Sequence, residues 1–334
     1  MNDQRDVGSG FGWREEQTGF ESKPRVCPVC QSSAHRKEFD KAGFSYVRCV
    51  DCGTVYITPV PDASALSELY DFIGDDYFTD PRQLSLDFAP DKYGKEIAFT
   101  QKVFAKLQRS ATSTGRLLDV GCATGSFLTA AQELGCRKVQ GVDISRPAIE
   151  YAQHLGLDTV AADFCTTDRF APGSYDVITM WSMLEHVPNP LAFVQRAYDL
   201  LAPEGLLLTC VPNNASLTAR LLGPRSRYVC ILHLNYFTAT SLAKLLTRAR
   251  LQILHHQTEG INPLVIWRDL RGTHVDIERA IVDRQDTSVI RNSPSMAPLR
   301  WLHAAVNGVL RRTGRGELLL MAGQKRVSNG EGHV

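Results

Sequence analysis

The chain has 334 residues, 43% of them hydrophobic and 22% charged, which is an ordinary globular composition with enough length for one large domain and one small one. Lys plus Arg number 37 and Asp plus Glu 36, so the net charge of +1 excludes a strong long-range attraction to nucleic acid or anionic lipid. The N-terminal MNDQRDVGSGFGW lacks an apolar signal-peptide core, and no run of about eighteen apolar residues could span a bilayer. The sequence therefore predicts a cytoplasmic protein without a membrane span.

Two pairs of cysteines follow a polar segment, residues 1–22, that we predict to be a flexible tail. The pairs are spaced C-x2-C-x18-C-x2-C, and their members are Cys27, Cys30, Cys49 and Cys52. This spacing is typical of a closed four-thiolate Zn²⁺ site, which has no open position for chemistry. We predict a small structural zinc ribbon over residues 23–60, with nucleic-acid or partner binding as the alternative role. The remaining cysteines lack metal-ligand spacing and are predicted to be small buried residues.

Residues 61–112 have the pattern of a helical connector. Tyr93, Ile97, Phe104 and Leu107 recur at helical spacing, so this helix must pack an apolar face against another part of the chain. Aromatic residues of the connector could instead cover a ligand pocket, although such a stripe is more often plain core.

From residue 113 to 326, short apolar runs alternate with helical patterns. The runs RLLDVG, KVQGVDI, DTVAAD, YDVITMW and GLLLTCVPN read as strands, and the segments between several of them read as helices. Such alternation predicts an α/β fold with a largely parallel sheet and helices on both faces. Ligands of such sheets bind beyond the carboxyl ends of the strands, at the point where the strand order reverses.

The first strand-to-helix turn contains Gly121 and Gly125, and Asp119 precedes it. A dinucleotide is one candidate ligand, but the G-x-G-x-x-G fingerprint starting at Gly121 would need glycines where the chain has Ala123 and Ser126. A carboxylate at position 119 would also lie close to a pyrophosphate and repel it. An ammonium group suits this acid better.

These motifs resemble those of the class I S-adenosylmethionine-dependent methyltransferases, with DVGCATG at residues 119–125 in place of the family's first motif. The resemblance runs from about Gly115 to Glu259 and implies a Rossmann-like seven-stranded methyltransferase sheet. It implies that the glycine turn holds the methionine part of the cofactor, with Asp119 near its amino group. It further implies that Asp143 takes the ribose hydroxyls and that Asp163 faces the adenine amino group. The cofactor-binding residues implied in this way are Asp119, Gly121, Ala123, Gly125, Asp143, Ile144, Asp163 and Phe164, the last alongside the adenine ring.

The segment YDVITMWSMLEHVPNP resembles small-molecule methyltransferases, so the substrate is expected beside it. Methyl transfer from a sulfonium is an in-line displacement that depends mostly on positioning, and a base is needed only when the nucleophile must lose a proton. His186 is the first candidate for that base, and the alternative is that it only hydrogen-bonds its own loop. His233 and Tyr236, in HLNYFT, form the next candidate pair, because the corresponding loop often borders the substrate in related enzymes.

A segment rich in arginine, residues 260–315, interrupts the core before the last predicted strand, ELLLMAGQK. A lid, a dimer contact or a phosphate-recognising surface are the functional alternatives to a solvated helical insertion. Residues 327–334 are predicted to be a second flexible tail.

We therefore predict an S-adenosylmethionine-dependent methyltransferase with structural Zn²⁺ that modifies a sugar, polyketide or other specialised metabolite, with O-methylation favoured. The sequence leaves the oligomeric state open, with a homodimer as one alternative. One alternative is C-methylation of a nucleotide-linked sugar, although enzymes of that kind carry a further C-terminal domain. A second alternative is a zinc-ribbon protein that methylates RNA or DNA, but the ribbon's basic residues are interleaved with acids. A third is a non-catalytic scaffold that retains the cofactor fold.

Overall fold

The computed structural model describes residues 22–41, 43–61, 66, 89–109, 115–226, 228–230, 232–260, 266 and 297–326. The predicted tails, apart from Ser22, lie outside these residues, as do much of the predicted connector and most of the 260–315 insertion. No helix in the described part of the chain is long and apolar enough to cross a membrane.

The N-terminal part of the chain forms short antiparallel strands around the four paired cysteines. We call residues 22–61 the cysteine unit. Its strands are β1 (Ser22–Lys23), β2 (His35–Lys41), β3 (Phe44–Cys49), β4 (Val55–Ile57) and β5 (Val60–Pro61). Strand β3 pairs antiparallel with both β2 and β4, so the segment predicted to be a zinc ribbon contains a small antiparallel sheet.

The connector region provides one long helix, α1 (Ala89–Lys106), that packs on the core. Phe99, Val103 and Phe104 are buried in the same apolar cluster as Phe127. The ring of Tyr93 also lies on Phe127, with the ring centroids 5.6 Å apart. The predicted apolar face of this helix thus packs against the sheet domain.

The larger domain alternates strands and helices as expected. Its first half contains β6 (Arg116–Val120), α2 (Ser126–Glu133), β7 (Lys138–Asp143), α3 (Arg146–His154), β8 (Asp158–Ala161), β9 (Tyr175–Trp181) and α4 (Pro190–Leu200). Its second half contains β10 (Leu201–Pro212), α5 (Leu217–Leu222), β11 (Asn235–Tyr236), α6 (Ala239–Arg248), β12 (Leu251–Glu259), α7 (Ala297–Thr313) and β13 (Leu318–Lys325).

Seven strands form one sheet in the order β12-β13-β10-β9-β6-β7-β8. Only β13 runs against the others, because it pairs antiparallel with both β10 and β12 whereas the remaining neighbours are parallel. The strand order reverses at β6, which lies between β7 and β9. The α/β fold class and the seven-stranded Rossmann-like sheet predicted from the sequence are confirmed.

Local sequence accounts for where the helices begin. Ser145 caps α3 by accepting from the backbone N–H of Ala148, and Asn189 caps α4 by accepting from that of Ala192. Each of these helices has a proline in its first turn, where the missing N–H costs no hydrogen bond. These caps fix the points at which the chain leaves the carboxyl edge of the sheet.

The cysteine unit and the sheet domain share a strand. Strand β11, which lies far along the chain, pairs antiparallel with β4 and completes a four-stranded sheet ordered β11-β4-β3-β2. The sequence analysis treated the ribbon as a unit on its own. The pairing instead joins it to the segment that carries His233 and Tyr236.

Candidate functional site

The glycine turn after β6 has three residues with left-handed backbone. Gly121, Ala123 and Gly125 have φ of 79°, 46° and 81°. A Cβ at position 125 would lie 2.3 Å from Leu157 Cδ1, and one at position 121 would lie 3.0 Å from Met183 Cγ. Backbone conformation and close packing thus both require glycine at these two positions. Ala123 adopts a conformation that is costly for any residue with a Cβ.

Asp119 is the buried acid of this turn. It is 2% exposed, and its Oδ1 accepts a hydrogen bond of 2.6 Å from the hydroxyl of Thr179 on the neighbouring strand. Burial raises the pKa of Asp119 to about 7, the Thr179 hydrogen bond lowers it and the charge of Asp143 raises it. A nearby cation would stabilise the ionised form of this buried carboxyl.

Asp143, at the end of β7, holds the glycine turn in place. Its Oδ2 accepts from the backbone N–H of Ala123 at 2.9 Å, and its Oδ1 accepts from that of Ser145 at 2.9 Å. Burial raises the pKa of Asp143, although these backbone hydrogen bonds act in the opposite direction. The side chain of the next residue, Ile144, is 61% exposed, as an apolar residue that meets a ligand would be.

The third predicted cofactor segment follows β8. Asp163 is exposed, and its Oδ1 accepts from the backbone N–H of Cys165 at 2.7 Å. Phe164 is 2% exposed, and its ring centroid lies 5.8 Å from that of Phe193. Its side chain therefore packs in the core beneath this edge, and the predicted contacts of both residues with adenine stay predictions.

A compact group of ionisable side chains lies in the loop after β9. Glu185, His186 and His233 each offer one potential ligand atom within 4.8 Å of the others, and we call them the Glu-His-His cluster. Glu185 is 1% exposed, and its Oε1 lies 3.8 Å from His186 Nε2. The two imidazole rings meet edge to face with their centroids 4.8 Å apart. The structure thus brings together two histidines that are 47 positions apart in the sequence.

The loop of Glu185 is tied to the segment that leads into β11, residues 232–235, by five polar contacts. The carbonyl of Glu185 accepts from the backbone N–H groups of Leu234 and Asn235 at 2.7 and 3.1 Å. The Asn235 amide donates to the carbonyls of Leu184 and Val187 at 3.0 and 2.7 Å. In addition, His186 Nδ1 lies 3.0 Å from the carbonyl of Leu232. The Glu-His-His cluster is therefore held by two loops that are fixed to each other.

The cysteine unit braces the same loops through Arg25. Its guanidinium donates to the carbonyls of Ile57, Pro188 and Leu234 at 2.9, 2.7 and 2.7 Å. It also lies over the ring of Tyr56, 5.4 Å from the centroid. Burial lowers the pKa of Arg25 to about 10, so the side chain stays charged at neutral pH.

Tyr236 lies on β11 within the apolar cluster that joins the cysteine unit to the core. It is 5% exposed, and its hydroxyl donates to the carbonyl of Cys230 at 3.2 Å. Burial raises the pKa of Tyr236 well above its usual value. These contacts are those of a packing residue, and the prediction that Tyr236 borders the substrate stays a prediction.

The four paired cysteines converge as the spacing predicted. All four sulfur atoms lie within 4.8 Å of one another, and the Cys27–Cys52 and Cys30–Cys49 pairs are each 3.4 Å apart. A tetrahedral ion with Zn–S bonds of about 2.3 Å requires sulfur atoms about 3.8 Å apart. All four thiols are free of disulfides, so their geometry and chemistry fit a tetrahedral metal.

The two cysteine turns are built alike. The residue after each turn, Gln31 or Gly53, has a positive φ, and its N–H donates to the carbonyl of the first cysteine of its turn. Arg248 on α6 donates to the carbonyl of Cys30 and to the side chain of Gln31, both at 2.8 Å. The cysteine turns are therefore fixed to the sheet domain as well as to each other.

The sequence analysis assigned no role to Glu185, Thr179 or Arg25. No sequence pattern indicates that Thr179 is a partner of Asp119, because strands β6 and β9 are brought together only by the tertiary structure. Arg25 precedes the first cysteine pair without any motif of its own. For Glu185, the EHV sequence was a usable signal, since a buried acid adjacent to a candidate base is a natural partner for it.

Comparison with known proteins identifies the larger domain. Residues 92–256 match the family model described as a methyltransferase domain. A "Ubiquinone biosynthesis O-methyltransferase" of Xanthomonas campestris pv. campestris (strain B100) is 31% identical over 158 residues, which are 43% of this chain and 66% of that protein. A protein of the same description from Ralstonia nicotianae is 37% identical over 106 residues, 30% of this chain and 44% of that protein.

Among solved structures, a S-adenosylmethionine-dependent methyltransferase from Archaeoglobus fulgidus is 16% identical, with a TM-score of 0.45, over 71% of this chain and 97% of its own. The methyltransferase from Mesorhizobium loti is 18% identical, with a TM-score of 0.42, over 63% of this chain and 91% of its own. The chain spans between 42% and 66% of the length of the curated relatives it matches. Within those bounds, the likeness to methyltransferases is carried by residues 92–256, which match the methyltransferase-domain model.

Proposed function

We propose that the protein transfers a methyl group from S-adenosylmethionine to an oxygen of a small-molecule acceptor. The observation that carries the proposal is a buried acid, Asp119, at the start of a turn in which Gly121 and Gly125 have left-handed backbone, at the carboxyl edge of the sheet. Residues 92–256 match a methyltransferase domain, which supports the same conclusion.

The charge of the cofactor suits this turn. S-adenosylmethionine carries an ammonium group and a sulfonium, and it supplies the methyl group when bound. Because burial raises the pKa of Asp119 to about 7, this acid without a ligand is only about half ionised at neutral pH. A pyrophosphate would oppose that ionisation, whereas an ammonium promotes it. Asp119 is therefore the residue we assign to the amino group, and Asp143 the one we assign to the ribose.

The acceptor side of the proposal rests on the Glu-His-His cluster. Met183, two residues before Glu185, packs against Gly121, so the cluster's loop touches the glycine turn. An acceptor hydroxyl must lose a proton as its oxygen attacks the methyl carbon, and an imidazole is suited to this task. The predicted base, His186, stays a proposal. The relatives are named as O-methyltransferases, which favours oxygen over carbon as the nucleophile.

The cysteine unit completes the proposal as a structural zinc ribbon. Its four-thiolate set leaves no position for a substrate. Its sheet incorporates β11, which follows the loop that bears His233. A bound Zn²⁺ would contribute the stability that so small a unit cannot obtain from its own core. The cytoplasmic location predicted from the sequence remains a prediction, and a homodimer remains one alternative for the assembly.

Calorimetric titration with S-adenosylhomocysteine and with NADH tests the cofactor assignment. We expect S-adenosylhomocysteine to bind with micromolar affinity, NADH not to bind, and Asp143→Ala to weaken binding at least tenfold because the turn loses the acceptor for the Ala123 N–H. His154→Ala, an exposed change on α3, is the matched control and should bind normally. Binding of NADH without S-adenosylhomocysteine would overturn the assignment.

The base assignment has its own test, the pH profile of methyl transfer by His186→Asn. An asparagine keeps a donor where Nδ1 contacts the Leu232 carbonyl but removes Nε2. We expect turnover to fall at least a hundredfold with little change in S-adenosylhomocysteine affinity. An unchanged rate across pH would remove His186 from the chemistry.

A further inference from the structure

We propose that the Glu-His-His cluster is a second metal site, which binds a divalent transition ion of the Zn²⁺, Fe²⁺ or Co²⁺ type beside the cofactor turn. Glu185, His186 and His233 offer three ligand atoms within 4.8 Å of one another. Two imidazoles and one carboxylate form a donor set that selects such ions over Mg²⁺. This site is separate from the four-cysteine group, which uses thiolates alone.

The hydrogen bonds of the two histidines support metal binding. His186 Nδ1 lies 3.0 Å from the Leu232 carbonyl, and His233 Nδ1 lies 2.8 Å from the Tyr228 carbonyl. A carbonyl accepts but cannot donate, so each neutral ring carries its proton on Nδ1 and keeps the lone pair on Nε2. A histidine that donates its other N–H to a backbone carbonyl is the usual arrangement around a metal, because that bond fixes the tautomer and the orientation of the ring.

The distances need only a small adjustment to accommodate an ion. Metal bonds of about 2.1 Å in a tetrahedral site hold two ligand atoms about 3.4 Å apart. Glu185 Oε1 and His186 Nε2 are 3.8 Å apart, so a shift of a few tenths of an ångström suffices for this pair. The side chain of Glu185 is 1% exposed and that of His186 is 25% exposed. The carboxylate is therefore shielded from solvent, while the cluster stays accessible on the side of His186.

The loops that bear the ligands are rigid enough for a metal site. The carbonyl of Glu185 accepts two backbone hydrogen bonds from Leu234 and Asn235, and Arg25 clamps the carbonyls of Pro188 and Leu234. A site whose ligands are held before the ion arrives loses less conformational entropy on binding. Three protein ligands also leave an open position, unlike the four-cysteine group.

The role of the ion in catalysis rests on the proposed function. An acceptor hydroxyl bound at the open position would have its pKa lowered and release its proton to solvent. The oxygen lone pair would then form the new O–C bond as the S–C bond of the cofactor breaks and its electron pair passes to sulfur. This ligand role is the alternative to the base role proposed above, and His186→Asn separates the two: loss of the ion together with turnover assigns a ligand, whereas loss of turnover with the ion retained assigns a base.

The metal content of the purified full-length protein tests the site directly. After incubation with excess Zn²⁺ and removal of free metal, we expect about two ions per wild-type chain. Glu185→Gln and His233→Asn should hold about one, since the asparagine keeps the donor to Tyr228 but lacks Nε2. The exposed His154→Ala should still hold two, which controls for the loss of a histidine.

Cobalt provides a readout that needs no variant. When Co²⁺ is added to protein whose cysteine group already holds Zn²⁺, we expect weak visible absorption without the strong sulfur-to-metal bands of a thiolate site. S-adenosylhomocysteine affinity is measured on the same samples, so failure of metal binding and failure of the cofactor assignment are read separately. A wild-type chain that holds one ion and gives no visible cobalt band would overturn the proposal and leave the cluster as a carboxylate–imidazolium pair.

Discussion

With the cofactor's amino group assigned to Asp119, the buried acid of the glycine turn should make cofactor binding depend on pH. The pKa of Asp119 is raised to about 7, above the usual value of 3.8, because burial penalises its charged form. An ammonium held beside it would return the pKa toward the usual range, so binding favours the ionised carboxylate. Below pH 7 the protein must first release a proton, and the affinity for S-adenosylhomocysteine should fall.

The expected size of the effect follows from the raised pKa. With a pKa of about 7 in the free protein and about 4 in the complex, affinity should drop about 25-fold between pH 7.5 and pH 5.5, or about 2 kcal/mol. Binding at pH 7 should release about half a proton. Calorimetry in two buffers with different ionisation enthalpies measures that release independently of the affinity.

Asp119→Asn is the matched variant, because asparagine keeps an oxygen that accepts from Thr179. It should bind S-adenosylhomocysteine weakly and lose most of the pH dependence, with any remainder reporting Asp143, whose pKa is also raised. Flat affinity from pH 5.5 to 7.5 in the wild type, with no proton release, would refute the assignment of Asp119 to the amino group.

The same acid has an opposite effect on the stability of the free protein. Its folded pKa exceeds its unfolded value, so the folded state holds an extra proton between pH 4 and 7, and stability falls as pH rises through that window. The difference between 7 and 3.8 corresponds to about 4 kcal/mol above pH 7. Asp119→Asn should therefore raise the free energy of unfolding at pH 8, by up to that amount, while it weakens ligand binding. A destabilised variant would contradict this account.

Four further substitutions test the turn and the cysteine unit. Gly125→Ala should lower the free energy of unfolding by at least about 2 kcal/mol, because the added Cβ meets Leu157 and the φ at this position is positive. Ala123→Gly should raise the free energy of unfolding by about 1 kcal/mol. Equal effects of the two substitutions in thermal or urea unfolding would contradict the steric argument. Cys49→Ser should reduce the metal content of the cysteine group and increase hydrogen exchange of β11. Unchanged exchange there would show that the unit does not brace the loops of the Glu-His-His cluster. Arg25→Met should lower the free energy of unfolding by about 2 kcal/mol with the metal retained, because the carbonyls that Arg25 contacts lose a charged donor. An unchanged free energy of unfolding would show that the contacts of Arg25 are dispensable.

The sequence was sufficient for features that depend on local spacing. Two C-x2-C pairs predict a common ion because each pair can direct both thiolates to one point, and the four sulfur atoms do converge. Asp119 followed by Gly121 and Gly125 predicts a ligand-binding turn because an acid at a strand end and glycines after it meet at one edge of a parallel sheet. Alternating apolar and helical segments predict the α/β sheet, since side-chain periodicity determines which face each element buries.

Features that depend on contacts between distant segments were decided only by the tertiary structure. The pKa of Asp119 reflects burial and a hydrogen bond from Thr179, 60 positions away, which no local pattern contains. The cysteine unit is not independent, because β11 completes its sheet. The hydrogen bonds of this pairing join backbone groups, so no sequence motif predicts them. Glu185 and His186 meet His233 for the same reason: short-range patterns fix the elements, whereas packing of the loops between them determines which side chains share a site.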